Sequence, residues 1–337
     1  MAEDAGAQRT QMGAEDTHEP RNYLLGIANG TLARVGLAFV QPHLVLAAFV
    51  YERTSSSLLV GLLAAITSAG VLWPQLLVSS LIEHRPRKKP FYILSAFIRA
   101  GMLLCLIAAM WLAGSGGSAW WLVVFFVAYF CFRSAQGAGA LPFLDIVGQT
   151  ISPVRLGGFF AQRIVLGDLI SLVAGILILQ PIIAHVEFPG NYVLLAVIAL
   201  FLMAGGWTMW SLVHEEENEA PPARRSMREI FAAGTQLLKR DRNYRLLLIT
   251  RLLVRINVLS LVFYIPYGVE RLGATGLSGV FVASIAMSRL LSSVLWGRLG
   301  NLKGNRLCLV GAGMLFALNP VVALIAPRLP EAFSLHV

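Results

Sequence analysis

Charge is what this chain has least of. Only 13% of its 337 residues are Asp, Glu, Lys or Arg, against 57% that are hydrophobic, and the mean hydropathy is +0.70. So few polar groups cannot coat a water-soluble globule, which excludes an ordinary soluble domain. Cysteine is scarce too. Cys105, Cys131 and Cys308 lie inside apolar runs with no paired spacing and no companion histidines, so they read as packing thiols, with no metal site or cofactor implied. Catalytic signatures are missing: there is no paired-aspartate motif for prenyl transfer, no H-E-x-x-H and no G-x-S-x-G, so the chain does not read as an enzyme. The first 20 residues lack the basic start, short apolar core and cleavage site of a secretory signal peptide. Residues 1–21 read instead as an acidic, polar, disordered tail. The net charge of +9 is not a nucleic-acid footprint, because the basic residues fall in connections between apolar runs rather than on one soluble face.

What is present is long hydrophobic runs. A spanning helix needs about 20 mostly apolar residues to cross a core about 30 Å thick. Nine segments qualify, at roughly 23–50, 57–82, 90–113, 119–145, 157–184, 190–213, 246–268, 275–298 and 306–326. The fold class is therefore all-α: a polytopic membrane protein with the bilayer as its solvent. Pro42, Pro74, Pro142 and Pro266 lie inside these segments and mark kinks that neighbouring helices can satisfy. Trp73, Trp120, Trp121, Trp207 and Trp210 lie near segment ends and read as interfacial anchors.

Loop charge sets the expected orientation, since cytoplasmic loops are enriched in Lys and Arg. Arg85, Arg87, Lys88 and Lys89 lie in the second loop, Arg155 in the fourth, seven basic residues from Arg224 to Arg245 in the sixth, and Arg298, Lys303 and Arg306 around the eighth. The opposite connections hold Arg53, Arg271 and Arg328. The amino terminus is thus expected on the cytoplasmic side of a bacterial-type plasma membrane. The chain divides into a six-helix transmembrane half over 22–213, a connecting loop over 214–245 and three further helices over 246–337. That loop starts with the acidic run His214-Glu215-Glu216-Glu217 and offers Ser226-x-x-Glu229 as a capping box for an amphipathic interfacial helix.

Two distant loops share a pattern. Ser79-Ser80-Leu81-Ile82-Glu83-His84-Arg85-Pro86-Arg87-Lys88-Lys89 and Gly297-Arg298-Leu299-Gly300-Asn301-Leu302-Lys303-Gly304-Asn305-Arg306 each join two apolar runs. Such repetition points to two related halves, the organisation of secondary transporters. Both loops resemble the G-x-L-x-D-R-x-G-R-K motif of the major facilitator superfamily. Arg133-Ser134-Ala135-Gln136-Gly137-Ala138-Gly139-Ala140 resembles that family's R-x-x-Q-G-x-G-A motif on the fourth helix, and Pro153-Val154-Arg155-Leu156-Gly157 its loop into the fifth. The resemblance implies a helical-bundle permease that moves a small-molecule substrate by alternating access. Within it, Glu83, Arg87, Lys88, Gly297, Asn301, Gly304 and Arg306 would form the gating loops.

The chain also departs from that pattern. Serine, Glu83, His84 and Pro86 replace residues of the first loop motif, Asn301 replaces the aspartate of the second, and the proline-containing glycine motif of antiporters is missing from the fifth helix. The family has twelve helices, so the last three are expected to be absent from this chain. The alternatives to a permease are an incomplete transporter needing those helices, or a membrane receptor on the same fold.

An ionisable residue at mid-membrane depth is expensive and marks a candidate site. Arg34, Arg99, Arg133, Asp168, Arg255 and Arg289 lie at such depth. Asp168 and Arg133 are the expected pair, because their helices run in opposite directions and bring them to similar depth; protonation of Asp168 would then release Arg133, with the proton as candidate coupling ion. Thr31, Arg34 and Gln41 share a face of the first helix. On the seventh, Arg251 and Arg255 share one face, with Asn257 and Tyr264 on roughly the opposite one. The substrate and coupling candidates are thus Arg34, Gln41, Arg133, Gln136, Asp168, Arg255, Asn257, Tyr264 and Arg289. Arginine outnumbers carboxylate among them, which favours an organic anion as cargo.

Overall fold

The computed structural model describes residues 18–82, 84–114, 120–217, 227–258, 283–285, 287–289, 291–292 and 305–325, with the single positions 295 and 299. All regular structure among them is helical. The helices are α1 (Glu19–Phe39), α2 (Ala47–Thr54), α3 (Ser57–Ile82), α4 (Lys89–Gly114), α5 (Trp120–Thr150), α6 (Pro153–Ala174), α7 (Gln180–His185), α8 (Gly190–Ser211), α9 (Met227–Arg240), α10 (Arg242–Val258) and α11 (Asn305–Ile325).

Six stretches are long and apolar enough to cross a bilayer: Glu19–Thr54, Ser57–Ile82, Lys89–Gly114, Trp120–Thr150, Pro153–His185 and Gly190–Ser211. They fall on the first six segments expected from hydropathy. Of the other three, 246–268 is described only to Val258, 275–298 only in part, and 306–326 coincides with α11, whose apolar stretch Leu307–Leu318 is shorter. Six spans, not nine, are therefore seen among the described residues. The amphipathic helix expected in the connecting loop is α9, with Glu229 in its first turn; Ser226, its expected cap, lies outside the described residues. Asp241 starts α10 by accepting from the backbone N–H groups of Asn243 (2.8 Å) and Tyr244 (3.1 Å).

Two of the spans are broken. At the end of α1 a π-type turn, Pro42–Leu46, leads into α2, and at the end of α6 a second one, Gly175–Leu179, leads into α7. Pro42 has no N–H to continue the helical ladder. The Gln41 carbonyl instead accepts from Leu44, Val45 and Leu46 at 3.2, 2.8 and 3.2 Å, so the backbone stays satisfied while the helix changes its winding. Such wide turns inside helices recur at functional sites.

The helices α1, α4, α5 and α8 form the centre: α4 packs on α5 and α8, α1 on α8 and α6, and α3 on α5. Lipid tails are as apolar as leucine, so this packing is driven by close contact rather than by escape from water. Small residues let the backbones approach; Gly26 leaves room for the rings of Phe159 and Trp210. Trp121, Trp207 and Trp210, expected as interfacial anchors, are buried among helices, whereas Trp73 and Trp120 remain exposed. A large ring fills the gap opposite a glycine better than any other side chain can.

One end of the bundle is tied by the acidic run that follows α8. The carboxylate of Glu215, itself buried, accepts from the backbone N–H of Lys88 (2.6 Å) and of Lys89 (2.8 Å), donors at the start of α4 that precede the helix's own carbonyl ladder. Lys89 Nζ donates to the Val213 carbonyl at 2.8 Å, and the Asn22 side chain exchanges two 3.0 Å hydrogen bonds with the backbone of His214. Hydrogen bonds to an ionised group contribute about 1.5–3 kcal/mol each at most, and losing the acceptor strands both donors. Glu215→Ala is therefore expected to lower stability by about 2 kcal/mol, and Glu215→Gln by less. Thermal unfolding in lipid nanodiscs checks this: equal midpoints for Glu215→Ala and the parent would mean that water caps α4 equally well.

Candidate functional site

A buried carboxylate, Asp168, held by two arginines that line a cavity, is the centre of the site. Asp168 lies fifteen positions beyond Pro153 in α6, and Arg34 fifteen beyond Glu19 in α1. Arg34 Nε donates to Asp168 Oδ1 at 2.6 Å and Nη2 to Oδ2 at 3.3 Å, a two-pronged pair in which the Asp168 side chain is 0% exposed. Gly167 makes room for it: a Cβ there would meet the stem of Arg34. A second guanidinium reaches the same carboxylate, with Arg289 Nη1 3.5 Å from Oδ1. Two cations thus share one anion, Arg34 closely and Arg289 loosely.

Arg133 is not the partner of Asp168, contrary to the expectation from depth. Its Nε and Nη2 donate to the Thr67 carbonyl at 3.1 and 2.6 Å, and its Nη1 to Gln136 Oε1 at 2.6 Å. The reason is helix order. Although α5 and α6 are joined by only Ile151 and Ser152, they do not pack along each other; α5 lies on α3 and α4, while α6 lies on α1. Gly70 of α3 gives Arg133 its place, since a Cβ there would meet the Arg133 Cβ. Arg133 therefore stays a cation with no carboxylate partner among the described residues.

Two adjacent cavities open beside these groups. The smaller, about 200 Å³, is lined by Arg34, Gln41, Ser171 and Arg289 among others. The larger, about 860 Å³, reaches from Gln41, His43 and Arg133 on the first bundle to Ser288, Arg289 and Phe316 on the later segments. Arg289, Gln41 and Leu44 line both. Of the face expected on the first helix, Arg34 and Gln41 look into this space, while Thr31 Oγ1 is buried without a hydrogen-bond partner among the described residues. His43 Nδ1 is in the same condition at the wall of the larger cavity.

Other expected site residues fare differently. Gln136 is brought together with Arg133. Arg255 and Asn257 lie on α10, but their side chains, and the whole of Tyr264, fall outside the described residues, as do Glu83, Gly297, Asn301, Gly304 and the side chain of Arg306. Arg87 and Lys88, of the expected gating loop, make local contacts: Arg87 is 3.5 Å from Glu217, and Lys88 Nζ donates to the carbonyls of Ile82 and of Arg85, the latter at 2.6 Å. Both contacts hold the loop to its own bundle.

Sequence reading missed Arg163. It lies ten positions into α6, where the depth argument that selected Asp168 applies equally. Its Nη2 donates to Asn29 Oδ1 at 3.0 Å, and its guanidinium lies over Phe143 and Phe159, 4.6 and 5.1 Å from the ring centroids. Asn29 in turn donates to the Gly206 carbonyl at 2.8 Å and to the Tyr92 hydroxyl at 3.3 Å. Arg99 is buried in the same region, 4.5 Å from the Trp207 ring centroid and 5.3 Å from that of Tyr92. Aromatic faces thus stand in for carboxylates around both arginines.

The outer surface completes the description. Leu94, Phe97, Leu104, Trp111, Leu177 and Phe201 are all more than half exposed, an apolar belt that water would not tolerate and acyl chains would. Long apolar helices and an apolar belt along their outer faces define an all-α, multi-pass membrane protein. Compared with protein-family models and with curated proteins, the sequence matches none.

Proposed function

We propose that this protein is a secondary active transporter of the major-facilitator kind, moving a small organic anion across a bacterial-type plasma membrane from a cytoplasmic amino terminus. The observation that carries this reading is Asp168. A fully buried carboxylate shared by Arg34 of the first bundle and Arg289 of a later segment joins two parts of the chain on either side of a cavity. Intramembrane charge of this kind is retained for ion and substrate pathways. The motif resemblance of the loops and of α5, and the unwound turns beside both charged helices, support the same reading.

The proposed cycle turns on a proton. While Asp168 is ionised it holds both arginines. When it takes up a proton it no longer attracts Arg289, which is left free for an anion in the cavity; anion release and proton loss then restore the pair. The cations freed are Arg34 and Arg289, not Arg133.

Proteoliposomes loaded with a pH-sensitive dye test this. Aryl sulfonates serve as cargo because they stay charged and do not leak through lipid as neutral acids. An imposed pH gradient is expected to drive uptake of p-toluenesulfonate with movement of protons, and Asp168→Asn to abolish the dependence on the gradient. Uptake by Asp168→Asn with the gradient dependence of the parent would remove Asp168 from coupling, and no flux of any anion under either gradient, despite binding, would favour a receptor.

A further inference from the structure

The larger cavity has two kinds of wall. One is cationic and polar: Arg289, Arg133, Gln41 and His43, with the hydroxyls of Ser284, Ser288 and Ser292 recurring every four residues along one helical segment. The other is apolar: Leu37, Pro42, Leu44, Ile285 and Phe316. No Asp or Glu lines it among the described residues. Its volume, about 860 Å³, is far larger than an inorganic ion requires and lies within the range of roughly 300–1,000 Å³ typical of sites for organic ligands.

The charges are not balanced. Asp168 is matched by Arg34 through two hydrogen bonds, so the single 3.5 Å approach of Arg289 is surplus. Arg133 is bound only by neutral acceptors, and a guanidinium carries more N–H groups than its three contacts use. Three guanidiniums, Arg34, Arg289 and Arg133, thus stand against the single carboxylate of Asp168, and beside an apolar-walled, low-dielectric space that surplus of positive charge makes an anion the favoured guest.

We propose that this cavity binds an amphiphilic organic anion, with one carboxylate or sulfonate headgroup drawn to Arg289 and Arg133 and an apolar body of aromatic size against Leu37, Leu44, Ile285 and Phe316. This deepens the transporter reading and rests on it only in making the ligand a cargo. Small anions without an apolar body fill too little of the cavity, and neutral or cationic analogues leave the two guanidiniums unmatched.

The test is a matched set of probes titrated calorimetrically into the full chain in lipid nanodiscs. The set is naphthalene-2-sulfonate, naphthalene-2-carboxylate, naphthalene-2-methanol, naphthalen-2-ylmethylammonium and methanesulfonate. At least one aromatic anion is expected to bind about tenfold or more tightly than the alcohol, the ammonium and methanesulfonate, the factor expected from one charge-assisted hydrogen bond. Arg289→Gln and Arg133→Gln are each expected to weaken it about tenfold, and Leu104→Ala on the outer face to leave it unchanged. Equal or tighter binding of the alcohol or the ammonium, binding of methanesulfonate as tight as that of the aromatic anions, or failure of both aromatic anions to bind would overturn the proposal. The probe series on the parent chain decides even if an arginine variant does not fold. Binding without flux would uphold this ligand class and sink transport; flux confined to the ammonium would do the reverse.

Discussion

Asp168→Asn is expected to lower the stability of the protein by about 3–5 kcal/mol, the loss typical of removing one partner of a buried ion pair. The size follows from what is left behind. Asparagine keeps the shape of the side chain but not its charge, so Arg34 and Arg289 would face each other across a neutral amide in a low-dielectric interior. The double variant Asp168→Asn/Arg34→Gln is expected to recover part of the loss, because it removes one stranded cation together with the missing anion. A coupling of about 0.5–3 kcal/mol between the two sites is the range for residues in one network. Thermal or denaturant unfolding in nanodiscs of the parent, both single variants and the double variant gives that coupling directly. Strict additivity would show that Arg34 and Asp168 do not hold each other, and the proposed switch would lose its foundation.

Gly137→Leu is expected to cost at least about 3 kcal/mol or to abolish folding, through shape alone. Gly137 of α5 faces the backbone of Val71 in α3, where even a Cβ would fall inside contact distance of the Val71 carbonyl oxygen. A carbonyl on a helix cannot move aside as a flexible side chain can, so the two helices would have to separate along their whole contact. Gly137→Ala should already destabilise by about 1–3 kcal/mol. Gly148, on the same helix, is the control: among the described residues nothing lies within 4 Å of the position a Cβ would take. Gly148→Ala is expected to be neutral or to stabilise by about 0.5–1 kcal/mol through helix propensity. If Gly137→Ala and Gly148→Ala unfold at the same temperature, the α3–α5 contact is looser than described.

These glycines also explain a motif. Arg133, Gln136, Gly137 and Gly139 form a pattern on one apolar segment. In the bundle each has a separate contact: Arg133 on the Thr67 carbonyl, Gln136 on Arg133, Gly137 against Val71, and Gly139 against Ser95 and Arg99. Their spacing is the spacing of contacts that α5 makes with α3 on one side and α4 on the other.

By itself the sequence determined the class and the first six spans. Hydropathy places a helix wherever about 20 apolar residues run together, because a fixed rise of about 1.5 Å per residue must match the thickness of the bilayer. Periodicity along one helix carried only part of the way. Of Thr31, Arg34 and Gln41, expected on one face, Arg34 and Gln41 line the cavity, but Gln41 stands beyond the end of α1, where helical spacing no longer applies, and Thr31 is not among the lining residues. The pairing of charges was not legible. Arg34, Arg133 and Asp168 lie at similar depth, and depth cannot choose between them. Only the tertiary arrangement decided that α6 packs on α1 and not along α5, its neighbour in sequence. Helix order in a bundle is set by small residues and ring shapes meeting across distant segments, such as Gly167 beneath Arg34 and Gly26 beneath Trp210. Contacts of that kind leave no periodic mark on either helix, whereas the rise per residue that sets span length acts within each helix alone.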